Sequence, residues 1–142
     1  MAADDLGGIG KIEHARLPAF MARYRFLFSP IRYSSLGLAV IEAMIAGLPV
    51  VALRTAEMAT VIENGVSGFT GTHLPALLGH MQELIDDPLL ARQLGEGARR
   101  AARDRFSIGR FSSDWDAALR YVTGTGGSGS RSAAASTRQE NV

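Results

Sequence analysis

The apolar positions of this chain change their spacing from one segment to the next. Short apolar runs at Phe26-Leu27-Phe28 and Val50-Val51-Ala52-Leu53 predict buried strands, and a nine-residue apolar segment, Leu38–Ala46, lies between them. That segment is followed by Gly47, a residue typical of helix C-termini, so we interpret it as a helix. Strand, helix and strand in this order predict an α/β fold with a parallel sheet, in which the helix begins at the carboxyl end of a strand.

Helical spacing of apolar residues recurs on both sides of this unit. We expect short helices over Glu13–Arg23 and Ala56–Glu63, a brief strand at Gly68-Phe69-Thr70, and three C-terminal helices over Leu74–Ile85, Asp87–Arg105 and Ser107–Val122. The last helix carries an apolar stripe around Trp115, which we interpret as core packing. Residues 123–142 are rich in Gly and Ser and predict a flexible tail, so the predicted domain covers residues 1–122.

Glu42 is the one polar residue within the apolar helix. A buried carboxylate without a partner is costly, so we expect a specific group to pair with it. Glu42 lies one turn after the helix start, on the side of Leu38, and free N–H groups at a helix N-terminus suit a phosphate. A ribose diol could give the carboxylate two donors, whereas a backbone N–H or an arginine would make Glu42 purely structural. Spacing alone leaves both interpretations open.

Two consecutive segments resemble the donor-site signature of family 4 glycosyltransferases. The first comprises Gly37-Leu38, Glu42-Ala43-Met44 and Ala46-Gly47-x-Pro49-Val50-Val51-Ala52, and the second is Glu57-x3-Val61-Ile62-x-Asn64-Gly65-x2-Gly68-Phe69. The resemblance covers about Leu17 to Val122. It implies the GT-B fold, with two Rossmann-like domains facing a cleft, and sugar transfer from a nucleotide donor with retention. This chain would supply the C-terminal, donor-binding part, a partial Rossmann-like domain followed by helices.

The resemblance also assigns donor-binding roles. It implies that Gly37 and Leu38 offer backbone amides to the diphosphate and that Glu42 binds the ribose hydroxyls. Arg32, beside this loop, either pairs with the diphosphate or forms a structural salt bridge. The family often has an acid where this chain has Ser34, so the hydroxyl of Ser34 or Ser35 would contact the donor sugar instead.

Arg54, in the loop after the Val50 strand, is a second departure from the family pattern, because small or polar residues are more usual at this position in the family. The resemblance also offers another role for the Trp115 helix, which in the GT-B fold crosses back onto the first domain.

A length of 142 residues is less than half of a complete GT-B enzyme. We therefore expect an N-terminal Rossmann domain to be missing, with the catalytic residues in it and none in this chain, and we expect the chain alone to be inactive. The acceptor stays unknown. The alternative is a non-catalytic module that binds a nucleotide or a protein on a degenerate glycosyltransferase scaffold, which Ser34 and the missing half both favour.

The composition argues against a metal site, nucleic-acid binding and a membrane span. The chain has no cysteine, and its three histidines, His14, His73 and His80, lack metal-ligand spacing, so we expect no metal and no cofactor besides the nucleotide-sugar substrate. A net charge of +1 does not favour nucleic acid, and no apolar run reaches the ~20 residues of a membrane span, which together predict a cytoplasmic location. We interpret the arginines between Arg92 and Arg105 as a solvated helix face.

Overall fold

A computed structural model describes residues 10–33 and 35–124 of the chain. A 3-10 turn at His14–Arg16 leads into a series of helices and parallel strands. In chain order these are α1 (Leu17–Met21), β1 (Leu27–Ser29), α2 (Leu38–Ala46), β2 (Val50–Leu53), α3 (Met58–Val61), β3 (Gly68–Gly71), α4 (Leu74–Asp86), α5 (Pro88–Phe106) and α6 (Ile108–Thr123).

The three strands form a parallel sheet in the order β1-β2-β3. Leu27 of β1 is opposite Val50 of β2, and Val50 is opposite Gly68 of β3. The central strand β2 is buried throughout, because helices cover both faces of the sheet. The predicted α/β fold with a parallel sheet is therefore confirmed.

Alternate residues of β2 enter two separate apolar cores, as the two-residue period of a strand requires. Val50 and Ala52 pack in one core with residues of α2, α3 and α5, among them Met44 and Ala98. Val51 and Leu53 pack in the other core with β3, α4 and α5. The helix that the sequence placed between two strands thus covers one face of the sheet and is fixed there by α5.

Two glycines of α5 allow this close packing. A Cβ on Gly95 would overlap the carbonyl oxygen of Gly47, and a Cβ on Gly97 would overlap that of Val66. Helix α5 therefore lies directly against the backbone at the end of α2 and in the loop before β3. The sequence marks these two positions only as glycines within a helical pattern, which by itself indicates a weaker helix.

Two helices are shorter than the sequence predicts. The predicted helix Glu13–Arg23 is a 3-10 turn followed by the five residues of α1. The predicted helix Ala56–Glu63 is reduced to the four residues of α3. Ala56 has a φ of 40°, in the left-handed region, and Ile62 is extended, so neither residue can continue a right-handed helix.

The chain divides into two compact units, one ending at Phe106 and the other beginning at Ser107. The second unit contains α6, and the Ser107 hydroxyl caps this helix by accepting a hydrogen bond from the Arg110 N–H at 3.4 Å. The interpretation of its apolar stripe as core packing was wrong, because Trp115 is 55% exposed and α6 has no buried residue. The predicted domain limit at residue 122 stays a prediction, and most of the predicted tail, residues 125–142, lies outside the described residues.

Candidate functional site

The loops that follow the strands meet at one edge of the sheet. Because the strands are parallel and in register, Ser29, Leu53 and Gly71 all end at this carboxyl edge. The Thr55 hydroxyl donates a hydrogen bond to the carbonyl oxygen of Ile31 at 3.3 Å and ties the loop after β2 to the loop after β1. Ligands of open α/β sheets bind at this edge.

The N-terminus of α2 opens at the same edge. Gly37 is the N-cap residue, and the described residues supply no side chain that caps this helix end. The first bond of the helix runs from the Val40 N–H to the Gly37 carbonyl oxygen at 3.0 Å, so the amides of Leu38 and Ala39 precede the regular ladder. These amides are available to an anion above the helix end.

Gly37 itself adopts an ordinary backbone conformation. Its φ and ψ are −77° and 144°, which any residue can adopt, and a Cβ built on it meets no atom within 4 Å. The fold therefore does not require glycine at this position. Any requirement for glycine has to come from a ligand that approaches the loop closely.

Glu42 is less buried than the sequence suggested. Its side chain is 36% exposed, and its Oε1 lies 3.9 Å from Nδ1 of His14 in the 3-10 turn before α1. The apolar stretch is not enclosed on all sides, since Leu38 is 75% exposed at the start of the helix. Among the described residues, His14 is the one basic side chain within 4 Å of the Glu42 carboxylate, and the distance is longer than a hydrogen bond.

Two of the other predicted donor-binding residues lie in the loop that leads into α2. Arg32 and Ser35 are exposed in the loop between β1 and α2, and Ser34 lies outside the described residues. Arg32 forms no ion pair with any residue from 10–33 or 35–124, so the described part of the chain offers no structural salt bridge for it. Arg54 is exposed directly after β2, and its N–H donates to the Gly71 carbonyl oxygen at 2.9 Å.

The second segment of the sequence signature has a structural role. Asn64 clamps Thr70 with its amide group: Oδ1 accepts from the Thr70 N–H at 2.7 Å and from the Thr70 hydroxyl at 3.1 Å, and Nδ2 donates to the Thr70 carbonyl oxygen at 3.4 Å. Glu57 accepts a hydrogen bond from the Thr60 hydroxyl at 2.8 Å and lies 3.8 Å from the Arg105 guanidinium. These contacts hold the loop before β3 and the turn at α3.

Two arginines of α5 do more than solvate a helix face. Arg99 donates to the carbonyl oxygens of Ala46 at 2.7 Å and Ile45 at 3.3 Å, the C-terminal end of α2. Arg105 donates to the Thr60 carbonyl oxygen at 2.7 Å. All five arginines between Arg92 and Arg105 are exposed, as a solvated helix face requires, but Arg99 and Arg105 also bind main-chain oxygens. Sequence reasoning missed them because their partners are main-chain oxygens 53, 54 and 45 residues away.

The described residues contain neither a metal-binding cluster nor a membrane-spanning helix. Within the ranges 10–33 and 35–124, no three His, Asp or Glu side chains are grouped so that they could hold a metal ion. In the same ranges, every helix is too short or too polar to cross a membrane.

Comparison with known proteins identifies the family. The family model of glycosyl transferases group 1 matches residues 5–87, more than half of the chain. The chain therefore belongs to the group 1 glycosyl transferases. Among characterised sequences, it is 26% identical over 101 residues to the alpha-D-kanosaminyltransferase of Streptomyces kanamyceticus, which covers 70% of this chain and 26% of that protein. It is 36% identical over 59 residues to an uncharacterised 41.2 kDa protein of the cps region of Klebsiella pneumoniae, covering 42% of this chain and 16% of that protein.

Solved structures show the same fold. Sucrose-phosphate synthase from Thermosynechococcus elongatus superimposes with a TM-score of 0.74 at 24% identity, over 82% of this chain and 30% of that one. Anabaena HepE, solved in complex with UDP, gives a TM-score of 0.66 at 24% identity, over 76% of this chain and 30% of that one. At 24% identity these likenesses show a shared fold, which confirms the predicted fold class. The chain spans less than a third of the length of each of these four proteins.

Proposed function

We propose that this chain is the nucleotide-sugar-binding part of a retaining glycosyltransferase of family 4, and that the whole protein transfers a sugar from a nucleoside diphosphate to an acceptor. The observation that carries the proposal is the position of Glu42, a partly exposed carboxylate one turn inside α2, whose uncapped N-terminus opens at the carboxyl edge of a parallel sheet. The similarity of the chain to a kanosaminyltransferase, and to a protein whose structure was solved in complex with UDP, supports the same function.

Each part of such a donor has a fitting group at this edge. The amides of Gly37 and Leu38 would bind the diphosphate, and the guanidinium of Arg32 would add a charge-assisted contact. The Glu42 carboxylate would accept hydrogen bonds from the ribose hydroxyls, since it can accept several and donate none. A hydroxyl of Ser34 or Ser35 would contact the sugar.

The contribution of these residues to transfer would be electrostatic. Negative charge develops on the diphosphate as the bond to the sugar breaks, and helix amides together with Arg32 would stabilise that charge. A bound metal is not needed for this role. The groups that act on the acceptor would belong to another part of the whole protein, so we expect the 142-residue chain to bind the nucleotide but not to transfer sugar. A cytoplasmic location likewise stays a prediction.

Titration of the chain with UDP, GDP and ADP in a calorimeter tests the proposal. We expect one of them to bind, and we expect Arg32→Gln to weaken that binding by about 1–2 kcal/mol because a charged hydrogen bond to phosphate is lost. Arg25→Gln is the matched control, since Arg25 is equally exposed but precedes the amino end of β1. If none of the three nucleotides binds, the proposal is wrong.

The rival function makes a different prediction for the whole protein. A non-catalytic module would bind the nucleotide yet release no free nucleoside diphosphate from any nucleotide sugar, with or without acceptor. A glycosyltransferase would release it in proportion to the sugar transferred.

A further inference from the structure

The side chain of His14 is exposed and lies within 4 Å of one charged group among the described residues. Its side chain is 88% exposed, and the contact is Nδ1 at 3.9 Å from Oε1 of Glu42. The 3-10 turn that carries it has no buried residue. Because the imidazole fills no core and closes no gap in the packing, its position beside the carboxylate is not explained by stability.

His14 is the basic side chain that lies beside Glu42, because the other ionisable side chains on the elements packed against α2 are placed elsewhere. Helix α2 packs against α1, α5, β1 and β2, and neither strand has an ionisable residue. The guanidinium of Arg99, from α5, is held at the opposite end of α2 by the carbonyl oxygens of Ile45 and Ala46. Beside α1, Arg23 lies over the ring of Phe20. The remaining charged side chains of these elements are grouped as follows: Glu13 and Arg16 next to α1, and Arg92, Glu96, Arg100, Arg103, Asp104 and Arg105 on α5. None of the arginines among them is within 4 Å of the Glu42 carboxylate.

A glutamate side chain has several rotamers, and fixing one of them on binding costs conformational entropy. An imidazolium at Oε1 favours the rotamers that keep the carboxylate near His14, while Oε2 stays free to accept hydrogen bonds. A ligand then meets a carboxylate that is already oriented, which reduces the cost of binding.

We propose that His14 is a positioning residue for the proposed donor site: its imidazolium orients the Glu42 carboxylate for the vicinal hydroxyls of a nucleotide ribose. This inference rests on the proposed function, since it assigns the ribose to Glu42.

The test compares UDP with 2′,3′-dideoxy-UDP, which has the same base and diphosphate but lacks both ribose hydroxyls. The ratio of their dissociation constants isolates the hydroxyl contact, and titration of the phosphates cancels in it. For the unmodified chain we expect UDP to be preferred, and we expect loss of the His14 imidazole to lower that preference about two- to five-fold, since an exposed ion pair contributes up to about 1 kcal/mol.

Two variants and a control give the comparison. In His14→Gln the preference for UDP should be low, whereas His14→Lys, which places a cation at the same position, should preserve it. His73→Gln, at an exposed histidine after β3, should behave like the unmodified chain. The melting temperature should be the same for all three variants, because His14 and His73 are both exposed.

The outcomes separate this inference from the proposed function. Failure of the unmodified chain to bind UDP would contradict both of them for this nucleotide. A UDP preference that depends on Glu42 but is unchanged in His14→Gln would overturn the positioning role alone.

Discussion

Arg99 is predicted to stabilise the helix on which the candidate site depends. It joins α5 to the last carbonyl groups of α2, through hydrogen bonds of 2.7 Å and 3.3 Å to Ala46 and Ile45. Hydrogen bonds to charged groups contribute about 1.5–3 kcal/mol, and a cation at a helix C-terminus about 0.3–1 kcal/mol. Because Arg99 is exposed and one of its bonds is long, we expect Arg99→Met to lower the free energy of unfolding by about 1–2 kcal/mol.

Urea denaturation followed by circular dichroism measures this loss. With an m-value of about 2 kcal/mol/M, the midpoint should fall by roughly 0.5–1 M while m stays constant. Arg100→Met is the matched control, since Arg100 is the next residue of α5, is also exposed and has no recorded partner among the described residues. Equal midpoints for the two variants would refute the role given to Arg99.

Two further predictions concern single positions. Gly37→Ala should leave the melting temperature unchanged, because its φ is −77° and a Cβ there meets nothing within 4 Å, yet it should weaken nucleotide binding in calorimetry; normal affinity would show that no ligand approaches this loop closely. Asn64→Ala should lower the free energy of unfolding in urea by about 1–3 kcal/mol, because the buried Thr70 N–H loses its acceptor, whereas Asn64→Asp keeps an acceptor and should lose less. Equal losses in the two variants would contradict the clamp.

The part of the fold that the sequence predicted is the part governed by local rules. Helix α2 ends at Gly47 because that residue has a φ of 87°, with the Leu48 N–H bonded to the Ala43 carbonyl oxygen at 2.9 Å. Helix α5 begins where Asp87 accepts hydrogen bonds from the N–H groups of Leu89 and Leu90 at 2.9 and 3.0 Å. Both ends depend on residues within five positions of one another, so a single sequence contains the information.

The remaining features depend on contacts between distant segments. The partner of Glu42 could not be predicted, because His14 lies 28 residues earlier and reaches the carboxylate only through the packing of α1 on α2. Arg99 and Arg105 donate hydrogen bonds to main-chain oxygens, and because every residue has such an oxygen, the sequence does not indicate which one is the partner. Ala56 was expected in a helix, but its backbone is left-handed in the loop after β2, at the candidate site itself. Such strain is often found at functional sites, where surrounding structure imposes it.

The most direct test of the account is the affinity of Glu42→Gln for the nucleoside diphosphate that the unmodified chain binds, measured by calorimetry. Glutamine keeps the shape of the side chain but removes its charge, so we expect binding to weaken by about 1–3 kcal/mol while thermal unfolding stays the same. Glu63→Gln is the control, since this exposed carboxylate lies in the loop before β3. If Glu42→Gln binds the nucleotide as tightly as the unmodified chain, Glu42 does not hold the ribose and the donor site lies elsewhere.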